Sequence, residues 1–266
     1  MALSDKLSES TGGVMADERR SVIMQIIDSS GRVRVQDLAR RFSTTSVTIR
    51  NDLNELQRRG LLQRSHGGAI KPDARQYESP FMDRMQAHIE EKRRMGILAA
   101  SLIHDGDTVI LDSGTTTDEI AKQLKNRSRL QVITNGVNIA NELLTARGVH
   151  TVILGGTLRN DSASIVGRAT EDMLSHLFAD KLFMGGAACD PDFGVSGANL
   201  EEAMVNKAML GCARETILVA DASKFDKRSM SRIATFSQIH TVVSDTSMPV
   251  RIQEKVRSFG CNLLLA

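Results

Sequence analysis

Tryptophan is absent, tyrosine occurs once, and aromatic residues make up only 3% of the 266-residue chain. So few rings argue against a single-strand nucleic-acid binder, which needs platforms on which bases stack. Three cysteines are present, Cys189, Cys212 and Cys261, scattered and without a CxxC pair. They form neither a disulfide framework nor a zinc site, and they suit a reducing cytoplasm. The six histidines (His66, His88, His104, His150, His176, His240) lack ligand spacing, so no metal is expected. There is no GxGxxG and no Walker loop, and a serine or cysteine nucleophile has no signature, so no cofactor is expected either. No apolar run reaches the roughly 18 residues of a membrane helix. Residues 1–16 have no apolar stretch between a basic start and a cleavage site, so neither a membrane nor a secretory route is expected.

What is present is ordinary for a globular protein: 41% hydrophobic and 25% charged residues, enough for one large domain or two smaller ones. The net charge of +2 is unevenly placed. Residues 32–71 hold nine Lys/Arg against three Asp/Glu, whereas residues 72–266 hold 22 against 24. A basic small module followed by a slightly acidic large one is a layout of DNA-binding regulators, although a solvated basic face would look the same.

The hydrophobic periodicity divides the chain into four stretches. Residues 1–15 read as a disordered tail. Residues 16–71 read as three helices and a wing. Val22, Ile23, Ile26 and Ile27 recur at helical spacing before Gly31; Val35, Leu38 and Phe42 mark a second helix; Ile49, Leu53 and Leu56 mark a third that begins at Ser46. Leu61 to Ile70, with Gly67-Gly68 between two short runs, reads as a hairpin. Three helices and a hairpin make a small α+β winged helix-turn-helix, with the helix-turn-helix itself over 33–52. Ser46, Thr48, Arg50 and Asn51 point away from the apolar stripe of the third helix, and such side chains bond phosphates and base edges in a major groove. Arg64, His66 and Gly67 on the wing add a cation, an imidazole and a backbone that can approach a phosphate closely.

Residues 72–88, with two prolines, read as a linker. From 89 to 266, short β-branched runs alternate with amphipathic stretches. Strands are expected at 108–111, 130–133, 151–154, 181–184, 216–220, 241–243 and 262–265. That alternation predicts an α/β domain with an open, mostly parallel sheet covered on both faces. The 153–168 region breaks the rhythm and reads as a small insertion.

The strand ends carry the chemistry. Asp112, Ser113, Gly114, Thr115, Thr116 and Thr117 follow the first strand, Thr134 and Asn135 end the second, Gly155-Gly156 follow the third, Gly185-Gly186 the fourth, and Asp221 to Lys224 the fifth. In an open α/β sheet, ligands bind beyond the carboxyl ends of the strands, where glycines expose backbone N–H groups and a helix start favours an anion. Asp112 to Thr117 therefore read as a phosphate cradle; a plain helix cap is the alternative. Asp112, Asp190, Glu202 and Asp221, with Lys207 and Lys224, could form an acid/base set for sugar-phosphate isomerisation, or could bond sugar hydroxyls and cap helices.

Thr48-Ile49-Arg50-Asn51-Asp52-Leu53, followed by Leu56, Gly60, Leu62, Arg64 and His66-Gly67-Gly68-Ala69, resembles the N-terminal signature of the DeoR family of bacterial sugar-operon repressors. The second block resembles that family's sensor domain at Asp112 to Thr116, Thr134-Asn135, Gly155-Gly156, Asp180 to Gly185, Glu202-Ala203 and Asp221 to Phe225. Together the matches run from residue 17 to 266.

The resemblance implies a dimeric or tetrameric cytoplasmic repressor that binds double-stranded operator DNA and is released by a phosphorylated sugar. It implies a sensor fold similar to ribose-5-phosphate isomerase and the CoA transferases, with no catalytic residue. Asp112, Gly114 to Thr117, Gly155 and Gly156 would hold phosphate; Thr134, Asn135, Glu202, Lys207, Asp221 and Lys224 would bind the sugar or close over it. Within the family the chain looks most like regulators of the N-acetylgalactosamine or glucitol type. Three departures stand out: Ala187 in place of an acidic residue, Asn206 in place of a lysine, and Gly197 in place of a threonine. The alternatives are an isomerase-like enzyme with a DNA-binding tail and an activator of the same fold.

Overall fold

The computed structural model describes residues 16–58, 61–70 and 81–266. The tail expected over 1–15 and most of the linker expected over 72–88 lie outside the described residues. The chain divides into two compact units, residues 1–73 and 74–266.

The first unit contains helix α1 (Ala16–Ser30), strand β1 (Arg32–Arg34), helices α2 (Val35–Arg41) and α3 (Ser46–Arg58), and strands β2 (Gln63–Ser65) and β3 (Gly68–Ile70). The three strands form one antiparallel sheet in the order β1-β3-β2. The wing hairpin is thus extended by a strand lying between the first two helices, which sequence reading did not separate from them. Ile23 and Ile27 of α1, Leu38 of α2, Ile49, Leu53 and Leu56 of α3, and Val33, Leu62 and Ala69 form one core. Burying each branched side chain there stabilises the unit by about 1.5–3 kcal/mol. Gly68 permits the β1–β3 pairing: a Cβ at this position would lie 2.0 Å from the Val33 carbonyl oxygen. Asp52 is buried on α3 and receives the guanidinium groups of Arg19 at 2.6 Å and Arg20 at 3.0 Å. This ion pairing pins α1 to α3.

The second unit opens with helices α4 (Phe81–Gln86) and α5 (Ile89–Ala100) and then alternates: β4 (Thr108–Leu111), α6 (Thr115–Gln123), β5 (Leu130–Thr134), α7 (Val137–Leu143) and β6 (Val149–Ile153). A hairpin, β7 (Thr157–Arg159) and β8 (Ser164–Val166), precedes α8 (Arg168–Leu174) and β9 (Ala179–Met184). There follow β10 (Ala188–Asp190), β11 (Gly194–Gly197), α9 (Leu200–Gly211), β12 (Ala213–Val219), β13 (Ser231–Ala234), β14 (Thr241–Ser244), α10 (Val250–Ser258) and β15 (Asn262–Leu265).

The seven expected strands form one sheet in the order β15-β14-β12-β9-β4-β5-β6. Every pairing in it is parallel. Alternation along each strand divides the core. Val109, Leu111, Val132, Phe183 and Val219 face α5, α6 and α7, while Ile110, Ile133, Leu182, Met184 and Leu218 face α8, α9 and α10. The insertion expected at 153–168 is the β7–β8 hairpin. A second small antiparallel sheet, β10-β11-β13, lies outside the alternating pattern. Helix α4 occupies part of the stretch read as linker. Among the described residues, no helix is long and apolar enough to cross a membrane.

The chain order fixes where a ligand can sit. From β4 it winds outward through β5 to β6, then returns to lay β9 on the other side of β4. The gap between the loops after β4 and β9 is therefore the topological switch point, where an open α/β sheet offers a crevice.

Candidate functional site

In the first unit, α3 starts under a threonine cap. Thr45 Oγ1 accepts the Thr48 amide at 3.1 Å and lies 2.9 Å from the Thr48 hydroxyl. Thr48 is therefore half-buried and engaged in the helix start, as is Ser46 by position, while Arg50, Asn51 and Asn54 are exposed on the face opposite the core. His66 and Gly67 sit exposed at the wing turn, with Gly67 at φ +75° and its carbonyl accepting the Val35 amide at 2.9 Å. Arg64 is oriented differently. Its guanidinium turns onto α3, donating to Asn54 Oδ1 at 2.6 Å, and to the Gly68 carbonyl at 3.1 Å. It braces the wing against the recognition helix.

In the second unit, the switch point is organised by Asp112, which is 5% exposed. Its Oδ1 accepts the Gly114 amide at 2.8 Å and lies 2.9 Å from the Thr117 hydroxyl; its Oδ2 accepts the Gly185 amide at 2.7 Å. Burial pushes its pKa above the usual carboxylate range, with those donors opposing the shift and the Glu202 charge adding to it. Asp112 and Thr117 thus spend their polar atoms shaping the loop. Gly114, Thr115 and Thr116 form its rim at the start of α6, where unpaired helix N–H groups favour an anion.

Thr134 Oγ1 accepts the Gly136 amide at 2.9 Å. Asn135, 2% exposed, exchanges bonds with β8 of the hairpin: its carbonyl accepts the Ile165 amide at 2.7 Å and its Nδ2 donates to the Ile165 carbonyl at 3.1 Å. Its buried Oδ1 has no partner. Glu202, on α9, accepts the Ser164 hydroxyl at 2.6 Å, and Arg159 Nε lies 3.9 Å away. The hairpin therefore ties the loop after β5 to α9. Ser164 and Arg159 were missed from sequence because neither belongs to a glycine loop or a charged motif.

Gly155 and Gly156 turn toward α8. The Gly155 carbonyl accepts the Thr170 hydroxyl at 2.8 Å, and a Cβ on Gly156 would lie 2.3 Å from that hydroxyl oxygen. These glycines serve close packing at the root of the hairpin. Lys207 is exposed and, five residues past Glu202, falls on a different side of α9; Asn206, four residues past it, shares the Glu202 side. Gly197 ends β11 and Ala187 precedes β10.

After β12, Asp221 is 1% exposed. Its Oδ1 accepts the Ser223 amide at 3.0 Å and its hydroxyl, while its buried Oδ2 has no partner. Lys224 ends the short 3-10 turn that follows. Lys92, near the start of α5, is 4% exposed and donates to the Arg84 and Ala87 carbonyls; burial, and then the Lys224 charge, lower its pKa to about 8. Sequence reading missed it because Glu90-Glu91-Lys92-Arg93-Arg94 looks like a solvated helical face. Among the described residues, no cluster of His, Cys, Asp or Glu could hold a metal ion.

Comparison with known proteins agrees with this division. A DeoR-like helix-turn-helix domain matches residues 19–75, and a DeoR C terminal sensor domain matches residues 87–246. The chain is 38% identical over 250 residues to a candidate aga operon transcriptional repressor of Escherichia coli O157:H7, covering 93% of each chain. It is 32% identical over 237 residues to the glycerol-3-phosphate regulon repressor of Escherichia coli K12, covering 89% of this chain and 94% of that one. Among solved structures, ribose 5-phosphate isomerase A from Methanocaldococcus jannaschii aligns at a TM-score of 0.40 and 17% identity over 53% of this chain and 56% of that one.

Proposed function

The chain belongs to the DeoR family, and from that premise we propose that it is a cytoplasmic, homo-oligomeric transcriptional repressor released from double-stranded operator DNA by a phosphorylated sugar. The observation that carries the proposal is the pairing, in one chain, of a basic winged helix-turn-helix with a sensor sheet whose switch point opens on the glycine loop and helix start after β4, with Lys224 in the loop after β12. Helix α3 enters the major groove, where Arg50 and Asn51 reach base edges and Ser46 and Thr48 lie near the backbone at its N-terminus. His66 and Gly67 meet the flanking backbone, and Arg64 sets the angle of the wing.

The effector's phosphate lies on the rim formed by Gly114, Thr115 and Thr116, next to Lys224. Thr134, Asn135, Glu202 and Asp221 line the sugar, and Asp112, Thr117, Gly155 and Gly156 hold the loops that carry them. The carboxylates favour binding over acid/base chemistry: Asp112 is bonded by three donors and Glu202 by Ser164. Effector binding needs to favour only a geometry that fits the operator less well. A coupling of about 1–3 kcal/mol weakens binding about 5- to 150-fold.

Fluorescence anisotropy on the DNA upstream of the chain's own gene, with and without a panel of phosphorylated hexoses, hexosamines and hexitols, tests this reading. Tight binding released by one panel member supports it. No binding at low salt rejects that DNA as an operator, and binding that every panel member leaves unchanged rejects the effector class.

A further inference from the structure

The loop after β5 and the β7–β8 hairpin meet over one buried polar patch. Asn135, 2% exposed, holds Ile165 of β8 through its carbonyl at 2.7 Å and its Nδ2 at 3.1 Å. Ser164, fully buried, forms an isolated bridge with Gly136 and lies opposite Arg159 in the hairpin. Its hydroxyl donates to Glu202 Oε1 at 2.6 Å, and Arg159 Nε lies 3.9 Å from the same oxygen. On its other side the patch reaches the loop after β4. A Cβ on Gly136 would lie 2.9 Å from Ser113 Cα and 2.9 Å from Asn138 Oδ1. Asn138 Nδ2 in turn donates to Asp118 Oδ1, in the first turn of α6, at 3.0 Å.

Three atoms of this patch are buried without a hydrogen-bond partner: Asn135 Oδ1, Asn138 Oδ1 and Arg159 Nη1. Both amide orientations are set, because the nitrogens donate to groups that only accept, the Ile165 carbonyl and the Asp118 carboxylate. The two amide oxygens therefore need donors. Arg159 Nη1 needs an acceptor, and a neutral one suits it, since the Glu202 carboxylate already offsets the guanidinium charge. A hydroxyl is both donor and acceptor, whereas a fully ionised phosphate offers only acceptors. A phosphate here would also face Glu202 and two amide oxygens. All three atoms are covered, so a ligand reaches them as the hairpin shifts. Its outer strand is lightly held, with Thr157, Leu158, Asn160 and Asp161 exposed.

We propose that Asn135, Asn138 and Arg159 are specificity-determining residues for the hydroxyl-bearing part of the effector, two as acceptors and one as donor. Through Ser113 the patch adjoins the start of α6, so one ligand spans both. Its phosphate takes the helix start and its hydroxyls lie under the hairpin. This rests on the reading of the switch point as the effector site, and it names what is read beside the phosphate: a polyhydroxylated chain or ring, and not a second anion.

Calorimetric titration of the full chain without DNA, using inorganic phosphate and the panel of phosphorylated hexoses, hexosamines and hexitols, tests it. At least one panel member should bind at least about tenfold more tightly than inorganic phosphate, the gain expected when buried groups find partners. Arg159→Lys keeps a cation beside Glu202 and removes Nη1. It should erase that gain and leave the affinity for inorganic phosphate unchanged. The Tm of this variant without ligand should not fall, since the atom removed has no partner; a lowered Tm would make Arg159 a structural residue and overturn its role. Asn138→Leu, which leaves Asp118 paired with Lys122, should also erase the gain and serves should Arg159→Lys fail to fold. A gain that survives either substitution overturns the inference, as does an equal loss for inorganic phosphate and sugar phosphate. Panel members that bind no more tightly than inorganic phosphate overturn it alone and leave the anion site standing. No binding of phosphate or of any panel member overturns both.

Discussion

The Asp112 carboxylate accepts the Gly185 amide at 2.7 Å, joining the loop after β4 to the loop after β9 across the switch point. Two strands adjacent in the sheet but 73 residues apart in sequence thereby present one surface, which the chain could not form from either loop alone. Asp112→Asn tests this relationship. An amide cannot serve all three donors, since its NH₂ accepts nothing, so a buried N–H or hydroxyl is left unsatisfied. The expected cost is about 1–3 kcal/mol, read as a lowered Tm, with effector response lost and effector-free operator affinity retained. An unchanged Tm would mean that the bridge contributes nothing.

Arg64 sits between the wing and α3, bonded to Asn54 and to the Gly68 carbonyl. If it braces the wing, Arg64→Ala lowers operator affinity without changing how affinity depends on salt. A cation that contacts a phosphate would instead reduce the slope of log K against log salt by about 0.9. Arg64→Ala and Asn54→Ala should also be non-additive, with an interaction energy of about 0.5–3 kcal/mol.

Arg50 is exposed on α3 and has room to reach a base edge. Arg50→Ala should cost about 1–3 kcal/mol on the operator and relax preference at a single base position. A uniform loss across all operator variants would assign Arg50 to the phosphate backbone.

Lys92 gives the sensor a pH dependence whose sign follows from its environment. Its folded value of about 8 lies below the ordinary 10.5. Between these values the unfolded chain holds the proton and the folded chain does not, so stability rises with pH across that window. Wild-type protein should therefore gain stability relative to Lys92→Met between about pH 8 and about pH 10.5. A constant difference between the two proteins contradicts this.

The sheet was legible because its strands are continuous β-branched runs, Thr108–Leu111 and Thr241–Ser244 among them, separated by helical periodicity. Glycine loops likewise marked the carboxyl edge, because backbone that must approach a ligand or another backbone requires small residues there. Much of the rest depends on contacts between distant segments. Val33 reads as helix-flanking residue until it pairs with Ala69. Ser164 and Arg159 gain meaning only when the hairpin meets Glu202. Gly155 and Gly156 look like a phosphate loop but pack on Thr170. Lys92 sits in a charged run, and nothing local marks its ammonium as one that the fold buries.

In the proposed function, an anion held at the start of α6 governs DNA binding by the other unit. The most direct measurement is operator affinity, with and without the releasing sugar phosphate, for wild-type protein and Thr116→Val. The substitution preserves shape and removes one hydroxyl from the rim. The two effector-free proteins should bind equally well, with weakening of about 5- to 150-fold by effector in the wild type and none in the variant. A Thr116→Val protein released as readily as wild type would contradict it and place the phosphate elsewhere.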